Sequence, residues 1–264
     1  MTTSIHNLQN MRICIIGSGN LATTWAIVLK KAGNDIVQIW SRTIEHATAL
    51  ADQVGADATD DMKQLNRTAE IYILAVSDDG LVPISKQITM TDQIVIHTSG
   101  CSPMEVLENT SKNIGAVWSP QSFVKGHDIQ FDIVPFCIEA NNDFTRSKLR
   151  HLFSGISTQI YDMDSRQRQW AHLTAVMINN FGNALNAAAQ TLSKQQQIDF
   201  TIFHPIILQT AQKALSDNIA AQQTGPAVRN DQTTLQQHRT LLGNCPDLLQ
   251  LYNLFTKIIQ NGTH

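Results

Sequence analysis

The sequence predicts an α/β protein in which a doubly wound parallel sheet is followed by an all-α region. A glycine-rich turn, G-x-G-x-x-A at residues 17–22, directly follows an apolar strand pattern. Strand and helix patterns then alternate up to about residue 164, and only helical patterns follow. We therefore expect a dinucleotide-binding Rossmann domain over residues 1–164 and a helical substrate and dimerisation domain over residues 165–264.

The first predicted unit is a strand, a tight turn and a helix. Gly17 permits the turn, Gly19 lets a pyrophosphate approach the backbone, and Ala22 lets the helix pack closely on the strand. The free N–H groups at the start of the helix favour phosphate. An α/β turn that binds no nucleotide is the alternative. The expected cofactor contacts at this turn are Gly17, Ser18, Gly19, Asn20 and Leu21.

The end of the second strand predicts which cofactor binds. An NAD site usually has an acid there, which accepts from the ribose 2′-hydroxyl. This chain instead has Ser41, Arg42 and Thr43 after the apolar run 36–40. Two hydroxyls and a guanidinium suit a 2′-phosphate, so we expect NADP. An ordinary surface arginine is the alternative for Arg42.

Composition favours a globular protein without nucleic acid or membrane partners. The 264 residues carry a net charge of -3 and no basic block. No apolar run is long enough to span a bilayer, and residues 1–10 lack the apolar core of a signal peptide, so we expect a cytoplasmic protein. The four cysteines include no C-x-x-C pair, which favours free thiols over disulfides or metal ligands. Cys101 is the thiol expected to be exposed, and a catalytic thiol there is an alternative.

Residues 44–162 continue the alternation. Asp78 or Asp79 is expected to cap the helix that begins near Leu81. Ala75, Val76 and Ser77 follow a buried strand, at the sheet edge where doubly wound folds bind ligands, and are expected to contact the cofactor. The expected elements are helix 44–54, strand 55–59, strand 71–76, strand 94–96, strand 114–118, strand 135–140, helix 143–154 and strand 158–162.

The strand at 94–96 leads into polar residues at the same edge. His97, Thr98 and Ser99 are candidates for contacting nicotinamide or substrate, with Ser99 orienting the reacting group. A hydrogen-bonded core histidine is the alternative for His97. The sequence 102–105, Ser-Pro-Met-Glu, is typical of a capping box.

The C-terminal part predicts long amphipathic helices. Residues 165–194 contain no proline, and their apolar residues recur at helical spacing. Such a helix needs apolar partners on more than one side, and a homodimer packed through this half would supply them. Further helices are expected over 200–221, 231–242 and 247–259.

Two polar residues on the first long helix are candidates for catalysis. His172 is a candidate general acid for a carbonyl or imine, because histidine titrates near neutral pH. Asn180 lies seven positions beyond Leu173 on the apolar stripe, so we expect a buried amide that orients the reacting group. An exposed helix residue is the alternative for His172.

A second polar cluster surrounds the turn 224–231. Asp231 and His238 share one helix face, and Arg229 suits a carboxylate or phosphate. These three residues are the candidate substrate-binding set. An elaborate helix cap beside a solvated arginine is the alternative.

Together these motifs resemble the bacterial Rossmann-like oxidoreductases that carry a C-terminal helical domain of unknown function. The resemblance covers nearly the whole chain, and Asn230 stands where the family pattern has glycine. It is carried by Gly17–Ala22, His97–Gly100, His172, Asn179–Phe181, Thr224–Asp231, Thr234 and His238.

The wider kin are pyrroline-5-carboxylate reductase, the deazaflavin-dependent NADP reductases and the β-hydroxyacid dehydrogenases. The resemblance implies a Rossmann domain, a helical dimerisation domain and an active site between them. The β-hydroxyacid enzymes carry a lysine on the first long helix, four residues before an asparagine. This chain has no lysine between Ser165 and Gln190, which leaves His172 as the substitute acid.

The sequence therefore predicts an NADP-dependent oxidoreductase that moves a hydride between nicotinamide and a small carbonyl, hydroxyl or imine compound. A protein that senses NADP(H) without turnover is one alternative, favoured by the missing lysine. An NADPH-dependent reductase of a deazaflavin or flavin is another.

Overall fold

The computed structural model describes residues 10–123 and 129–262. The chain divides into two compact units, Met1–Asn183 and Ala184–His264. This division falls inside the first long helix, whose early turns are joined to the sheet by the ion pair of Arg168 with Glu139. The domain boundary expected at residue 164 stays a prediction.

The first unit is built on one eight-stranded sheet with the order β3-β2-β1-β4-β5-β6-β7-β8. The first six strands are parallel, β7 runs antiparallel to β6, and β8 is parallel to β7. The order reverses between β1 and β4, which creates a crevice at their carboxyl ends. The strands are β1 (Arg12–Ile16), β2 (Asp35–Trp40), β3 (Asp57–Thr59), β4 (Ile71–Leu74), β5 (Ile94–His97), β6 (Asn113–Trp118), β7 (Phe136–Ala140) and β8 (Ile160–Asp162).

Helices flank this sheet and close two apolar cores, so the Rossmann-like fold expected from the sequence is confirmed. One core includes Trp25, Phe136 and Phe153, whose ring centroids lie 4.8–5.5 Å apart. The other is centred on buried side chains such as Tyr72 and Leu74. The helices are α1 (Asn20–Lys31), α2 (Ile44–Val54), α3 (Asp78–Ser85), α4 (Asp143–Ser154) and α5 (Ser165–Ala175).

Two expected caps are corrected. Ser77, not Asp78 or Asp79, is the N-cap of α3, and both acids lie in its first turn, where they still favour the helix dipole. Residues 102–105 do not form a capping box: the segment Met104–Leu107 is a short 3₁₀ helix whose N-cap is Pro103. Proline has no side-chain oxygen to cap with, and the hydroxyl that the motif would have used is engaged elsewhere.

The long helix expected over 165–194 is present, and it contains an irregular turn. After α5 the residues Val176–Phe181 form a π turn, and α6 (Gly182–Gln195) follows. The side chains of Leu173, Met177 and Leu185 are exposed along this run. The π turn shifts the helix register, so the regular 3.6-residue spacing that we assumed from the sequence does not continue through it.

The described part of the second unit contains three more α-helices, α7 (His204–Lys213), α8 (Gln232–Leu241) and α9 (Pro246–Asn261). The helix expected over 200–221 is shorter than predicted. It begins as a 3₁₀ segment, Phe200–Phe203, and ends at Lys213. The polar run 216–218, Ser-Asp-Asn, competes with helical hydrogen bonding, and Asn218 Oδ1 accepts from Ala221 N instead.

Across the described ranges, no helix combines the length and the apolar character that crossing a bilayer requires.

Candidate functional site

The glycine turn after β1 is shaped for close approach of another group. Gly17 has a φ of +130°, and a Cβ there would lie 2.1 Å from the carbonyl oxygen of Ala75, so only glycine fits. Gly19 has open space around it and is the N-cap of α1. Because this cap has no side chain, the first N–H groups of α1 stay available to an anion.

The turn also lies at the crevice where the strand order reverses. Gly17 N donates to Trp40 O at 2.8 Å, and Ala75 N donates to Ile16 O at 2.8 Å. The loops that follow β1, β2 and β4 are therefore tied together at one sheet edge. Ala75 and Val76 are half-buried there, and Ser77 is exposed. These three predicted contacts come together with the glycine turn.

The residues after β2 lie beside the same turn. The hydroxyls of Ser18 and Ser41 are 2.9 Å apart, which links the glycine turn to the end of β2. Arg42 and Thr43 follow and are exposed. The edge thus combines a helix N-terminus, hydroxyl groups and an exposed guanidinium, all of which suit phosphate.

The loop after β5 is organised by its own hydrogen bonds. His97 is fully buried, and its Nδ1 accepts from Ser99 N at 3.1 Å. Burial, helped by the positive charge of Arg168, lowers the pKa of His97 to about 3. His97 is thus neutral at physiological pH, which favours the core-histidine alternative.

The Ser99 hydroxyl already makes three hydrogen bonds within its own loop. Its hydroxyl accepts from Cys101 N at 3.2 Å and Ser102 N at 2.9 Å, and donates to Ser102 Oγ at 3.0 Å. Its use as an orienting hydroxyl stays a prediction, and the geometry favours a role in shaping the loop.

Arg168 is the residue that sequence reasoning missed. It is 1% exposed and forms an ion pair with Glu139 of β7. Its Nε donates to Ser99 O at 3.2 Å, and Nη2 donates to Ser102 O at 2.6 Å. Arg168 therefore joins α5 to β7 and to the loop after β5. A glutamate inside the apolar strand pattern 135–140 was the available signal, because a buried acid needs a cation.

His172 lies one turn after Arg168, against the same loop. Its Nδ1 is 2.9 Å from Cys101 Sγ, and its ring packs edge-on against Trp118 with centroids 5.7 Å apart. A Cβ at Gly100 would lie 2.7 Å from His172 Cδ2 and 2.9 Å from Trp118 Nε1. Glycine is thus required for the loop to approach both rings.

An open cavity of about 280 Å³ adjoins His172 within the first unit. Trp118 and Ser119 line one side, and Asn179 and Asn180 of the π turn line another. The described residues that line it include no Asp, Glu, Lys or Arg. Asn180 is exposed rather than buried, which corrects the expectation drawn from its spacing to Leu173. The physical reason is that the apolar stripe is itself exposed, since Leu173 and Met177 also lie in water.

The three candidates of the second unit have different surroundings. Asp231 is the N-cap of α8 and accepts from Thr234 N at 3.1 Å and Thr234 Oγ1 at 2.7 Å. The hydrogen bond from the Thr234 side chain, and to a lesser extent the one from its backbone N–H, lowers the pKa of Asp231. His238 Nδ1 is 2.9 Å from the hydroxyl of Tyr252 on α9, and Arg229 is exposed. Their substrate role stays a prediction, and the contacts of Asp231 favour the helix-cap alternative for that residue.

The turn at residues 224–231 also shows why Asn230 can stand where the family pattern has glycine. Asn230 has a φ of +52°, in the left-handed region that favours glycine. Asparagine is among the few other residues that adopt this conformation readily. Its Oδ1 accepts from Gln260 of α9 at 3.0 Å, so the turn is also anchored.

Comparison with known proteins gives two family models that match different parts of the chain. Residues 12–100 match "NADP oxidoreductase coenzyme F420-dependent", and residues 134–259 match "Domain of unknown function (DUF2520)". A search of curated proteins finds no match.

Solved structures share the fold over almost the whole length. A "putative NADP oxidoreductase" from Bacteroides fragilis is 34% identical, with a TM-score of 0.90, and the match covers 97% of this chain and 100% of that one.

More distant structures show the fold alone. A reductive aminase from Aspergillus terreus, in complex with NADPH and ethyl-5-oxohexanoate, is 13% identical, with a TM-score of 0.72 and coverage of 96% of this chain and 95% of that one. A pyrroline-5-carboxylate reductase from Coxiella burnetii is 16% identical, with a TM-score of 0.56 and coverage of 96% and 97%.

The relative from Bacteroides fragilis matches from end to end, and the two family models match residues 12–100 and 134–259. The chain belongs to the family of Rossmann-like NADP oxidoreductases with a C-terminal helical domain of unknown function.

Proposed function

We propose that the protein is an NADP-dependent oxidoreductase that transfers a hydride between nicotinamide and a small carbonyl, hydroxyl or imine substrate. The observation that carries this proposal is the glycine turn at Gly17. A Cβ there would collide with Ala75 O, and the N-terminus of α1 beyond it presents uncapped N–H groups at the crevice of the sheet. This arrangement fits the pyrophosphate of a dinucleotide.

The choice of NADP over NAD rests on the end of β2. Arg42 and Thr43 are exposed there, and the Ser41 hydroxyl lies 2.9 Å from that of Ser18. No acid stands at residues 41–43 to accept from a ribose 2′-hydroxyl. The guanidinium of Arg42 would make charge-assisted bonds to a 2′-phosphate. Relatives solved with NADPH or NADP⁺ are consistent with this choice.

The nicotinamide would supply or accept the hydride, and the protein would orient the substrate and move the proton. His172 is the proposed general acid, because its ring lines the cavity and Nδ1 already has a partner. Asn180 would hold the reacting group. A cavity wall of amides, hydroxyls and an indole, without charged side chains, suits a neutral carbonyl, alcohol or imine.

The second unit would complete the enzyme. Arg229, Asp231 and His238 are the proposed contacts for the polar end of the substrate. The apolar side chains exposed on the helices of this unit, such as Ile206 and Leu208, support a homodimer formed through it. Residues 165–264 would then act as the substrate and dimerisation domain.

Turnover is tested by incubating the protein and NADPH with 2-keto acids, cyclic imines, flavins and a deazaflavin, and following nicotinamide absorbance. Oxidation with a keto acid or an imine supports the proposal. Oxidation with flavins or the deazaflavin alone points to the cofactor reductase. NADPH binding without turnover across the panel points to the sensor.

Cofactor choice is tested by calorimetric titration of NADPH and NADH into wild type and Arg42→Ala. We expect Arg42→Ala to weaken NADPH binding by about 1.5–3 kcal/mol, the range for hydrogen bonds to charged groups, and to leave NADH binding unchanged. Arg12→Ala removes an exposed arginine at the amino end of β1 and serves as the matched control. Equal affinities of wild type for the two cofactors would contradict the NADP assignment.

A further inference from the structure

Cys101 and Gly100 together enclose two edges of the His172 ring. The thiol sulfur lies 2.9 Å from Nδ1, and the Gly100 backbone closes on the Cγ and Cδ2 edge. No hydrogen bond joins Nε2 to any residue of the described ranges. Nε2 is therefore the ring nitrogen that remains for exchange with a substrate in the cavity.

The loop that carries Cys101 is held rigidly against α5. Arg168 bonds to Ser99 O and Ser102 O, on either side of Cys101, and Gln169 Nε2 donates to Cys101 O at 2.9 Å. His172 is on the same helix, one turn further. The distance between the thiol and the imidazole is thus set by a buried ion pair and by backbone bonds rather than by two free side chains.

We propose that Cys101 is a positioning residue that donates its thiol proton to Nδ1 of His172 and replaces the proton that Nε2 gives to the substrate. This inference rests on the proposed function and identifies which group replaces the proton that His172 gives to the substrate. The neutral imidazole would then carry its own proton on Nε2, facing the cavity.

The proton transfers balance. As the substrate oxygen or nitrogen gains negative charge, it forms a bond to the Nε2 proton, and the N–H electron pair stays on the ring. Nδ1 forms a bond to the thiol proton, and the S–H electron pair stays on sulfur as a thiolate. Cys101 is exposed, so a proton from solvent restores the thiol. Nothing is oxidised at sulfur.

The surroundings keep the thiol protonated at rest. Partial desolvation of the sulfur, with the negative charge of Asp78 adding to it, raises the pKa of Cys101, and the charge of Arg168 partly opposes this. A thiol with a raised pKa holds its proton through neutral pH and donates to Nδ1, rather than forming a thiolate that accepts from an imidazolium.

The resting hydrogen bond is tested without any substrate, by long-range ¹⁵N–¹H correlation NMR of the nine histidines. His172→Asn assigns the signal. In wild type at neutral pH we expect Nδ1 to be an unprotonated, hydrogen-bonded nitrogen and Nε2 to carry the proton. Cys101→Ser keeps this pattern because a hydroxyl also donates, and Cys101→Ala yields a mixture of tautomers. Cys245→Ala is the control. It removes a thiol that makes no side-chain hydrogen bond at the N-cap of α9, and it should leave the His172 signal unchanged.

The relay is tested by the pH profile of kcat with the panel compound that turns over fastest. Without the thiol proton an imidazolium must be the acid. Cys101→Ala and Cys101→Ser are therefore expected to lose about tenfold in kcat per pH unit above the pKa of a histidine, whereas wild type stays level. KM is expected to change little, because the substrate contacts remain.

Two results overturn the proposal. One is a wild-type spectrum in which Nδ1 carries the proton of a neutral ring. The other is a wild-type pH profile in both Cys101 variants. Absence of turnover with every compound removes the relay together with the proposed function, and the NMR result then still shows whether the thiol sets the tautomer.

Discussion

The sheet unit and the helical unit differ in how they bury apolar side chains. The first encloses two clusters, with side chains such as Trp25, Tyr72 and Phe153 almost fully buried. In the described part of the helical unit, the buried apolar side chains are Ala227 and Leu235. Ile206, Leu208 and Leu215 are more than half exposed. The sheet closes its own core, whereas the helices present apolar faces that a single copy leaves in water.

The two units are expected to gain their stability in different ways. Parallel strands flanked by helices bury both faces of the sheet within one chain. Amphipathic helices gain their stability from packing an apolar face, so unpacked faces contribute little. We therefore expect substitutions in the sheet unit to act at any protein concentration, and substitutions on the exposed helix faces to act through association. Three experiments test this contrast.

The largest effect is expected from Arg168→Met in the sheet unit. It leaves the carboxylate of Glu139 without its cation, and breaking a buried ion pair typically costs about 3–5 kcal/mol of unfolding free energy. Urea denaturation measures it, and the loss should not depend on protein concentration. Arg166→Met, at an exposed arginine on the same helix, is the matched control. Arg168→Met with Glu139→Met should recover most of the loss, and equal stability of Arg168→Met and wild type would contradict the role of the pair.

The next effect is a loss of stability in acid that arises from His97. Its pKa is lowered from 6.5 to about 3 in the folded protein, so the unfolded chain binds a proton that the folded one does not. The stabilisation is complete above pH 6.5 and is lost as pH falls from there towards pH 3, by about 2 kcal/mol at pH 5.

The measurement is the unfolding free energy as a function of pH, for wild type and His97→Asn. Asparagine keeps an acceptor near Ser99 N but does not titrate. We expect the variant to be less stable at pH 7 and to show a shallower decline between pH 6.5 and pH 4. The same slope in both proteins would assign the acid sensitivity to other groups.

The smallest effect is expected from Ile206→Glu on α7, an exposed apolar residue of the helical unit. If a homodimer covers this face, the charge removes about 1.5 kcal/mol of burial per subunit and shifts the population towards monomer. Light scattering over a range of concentrations measures the mass. Gln209→Glu adds the same charge at a polar position of α7 and should leave the mass unchanged. A wild-type protein that is monomeric at working concentration would contradict the expectation that the exposed helix faces are stabilised by association.

Much of the sheet unit was predictable because its signals are local. The helices α2 and α4 begin and end where the sequence predicted them, at 44–54 and 143–154. The glycine turn was predictable because few residues other than glycine tolerate a φ of +130° beside a neighbouring carbonyl. Asn230 was recognisable for a similar reason, since its left-handed conformation matches the glycine of the family pattern.

The site around His172 was only half predictable. The sequence singled out His172, Asn179 and Asn180 but not their partners. Arg168 and Cys101 act through contacts with residues more than 60 positions away, such as Ser99 and His172. The predicted burial of Asn180 was wrong because the apolar stripe that it shares with Leu173 is itself exposed.

The sequence by itself determined the order of strands and helices, the glycine turn and the residues that suit a 2′-phosphate. Each of these depends on backbone conformation or side-chain chemistry within a few residues. Only the tertiary structure decided that Arg168 and Glu139 meet and that Gly100 and Cys101 enclose His172. Those outcomes depend on which segments pack together, and packing between segments distant in sequence leaves no local pattern.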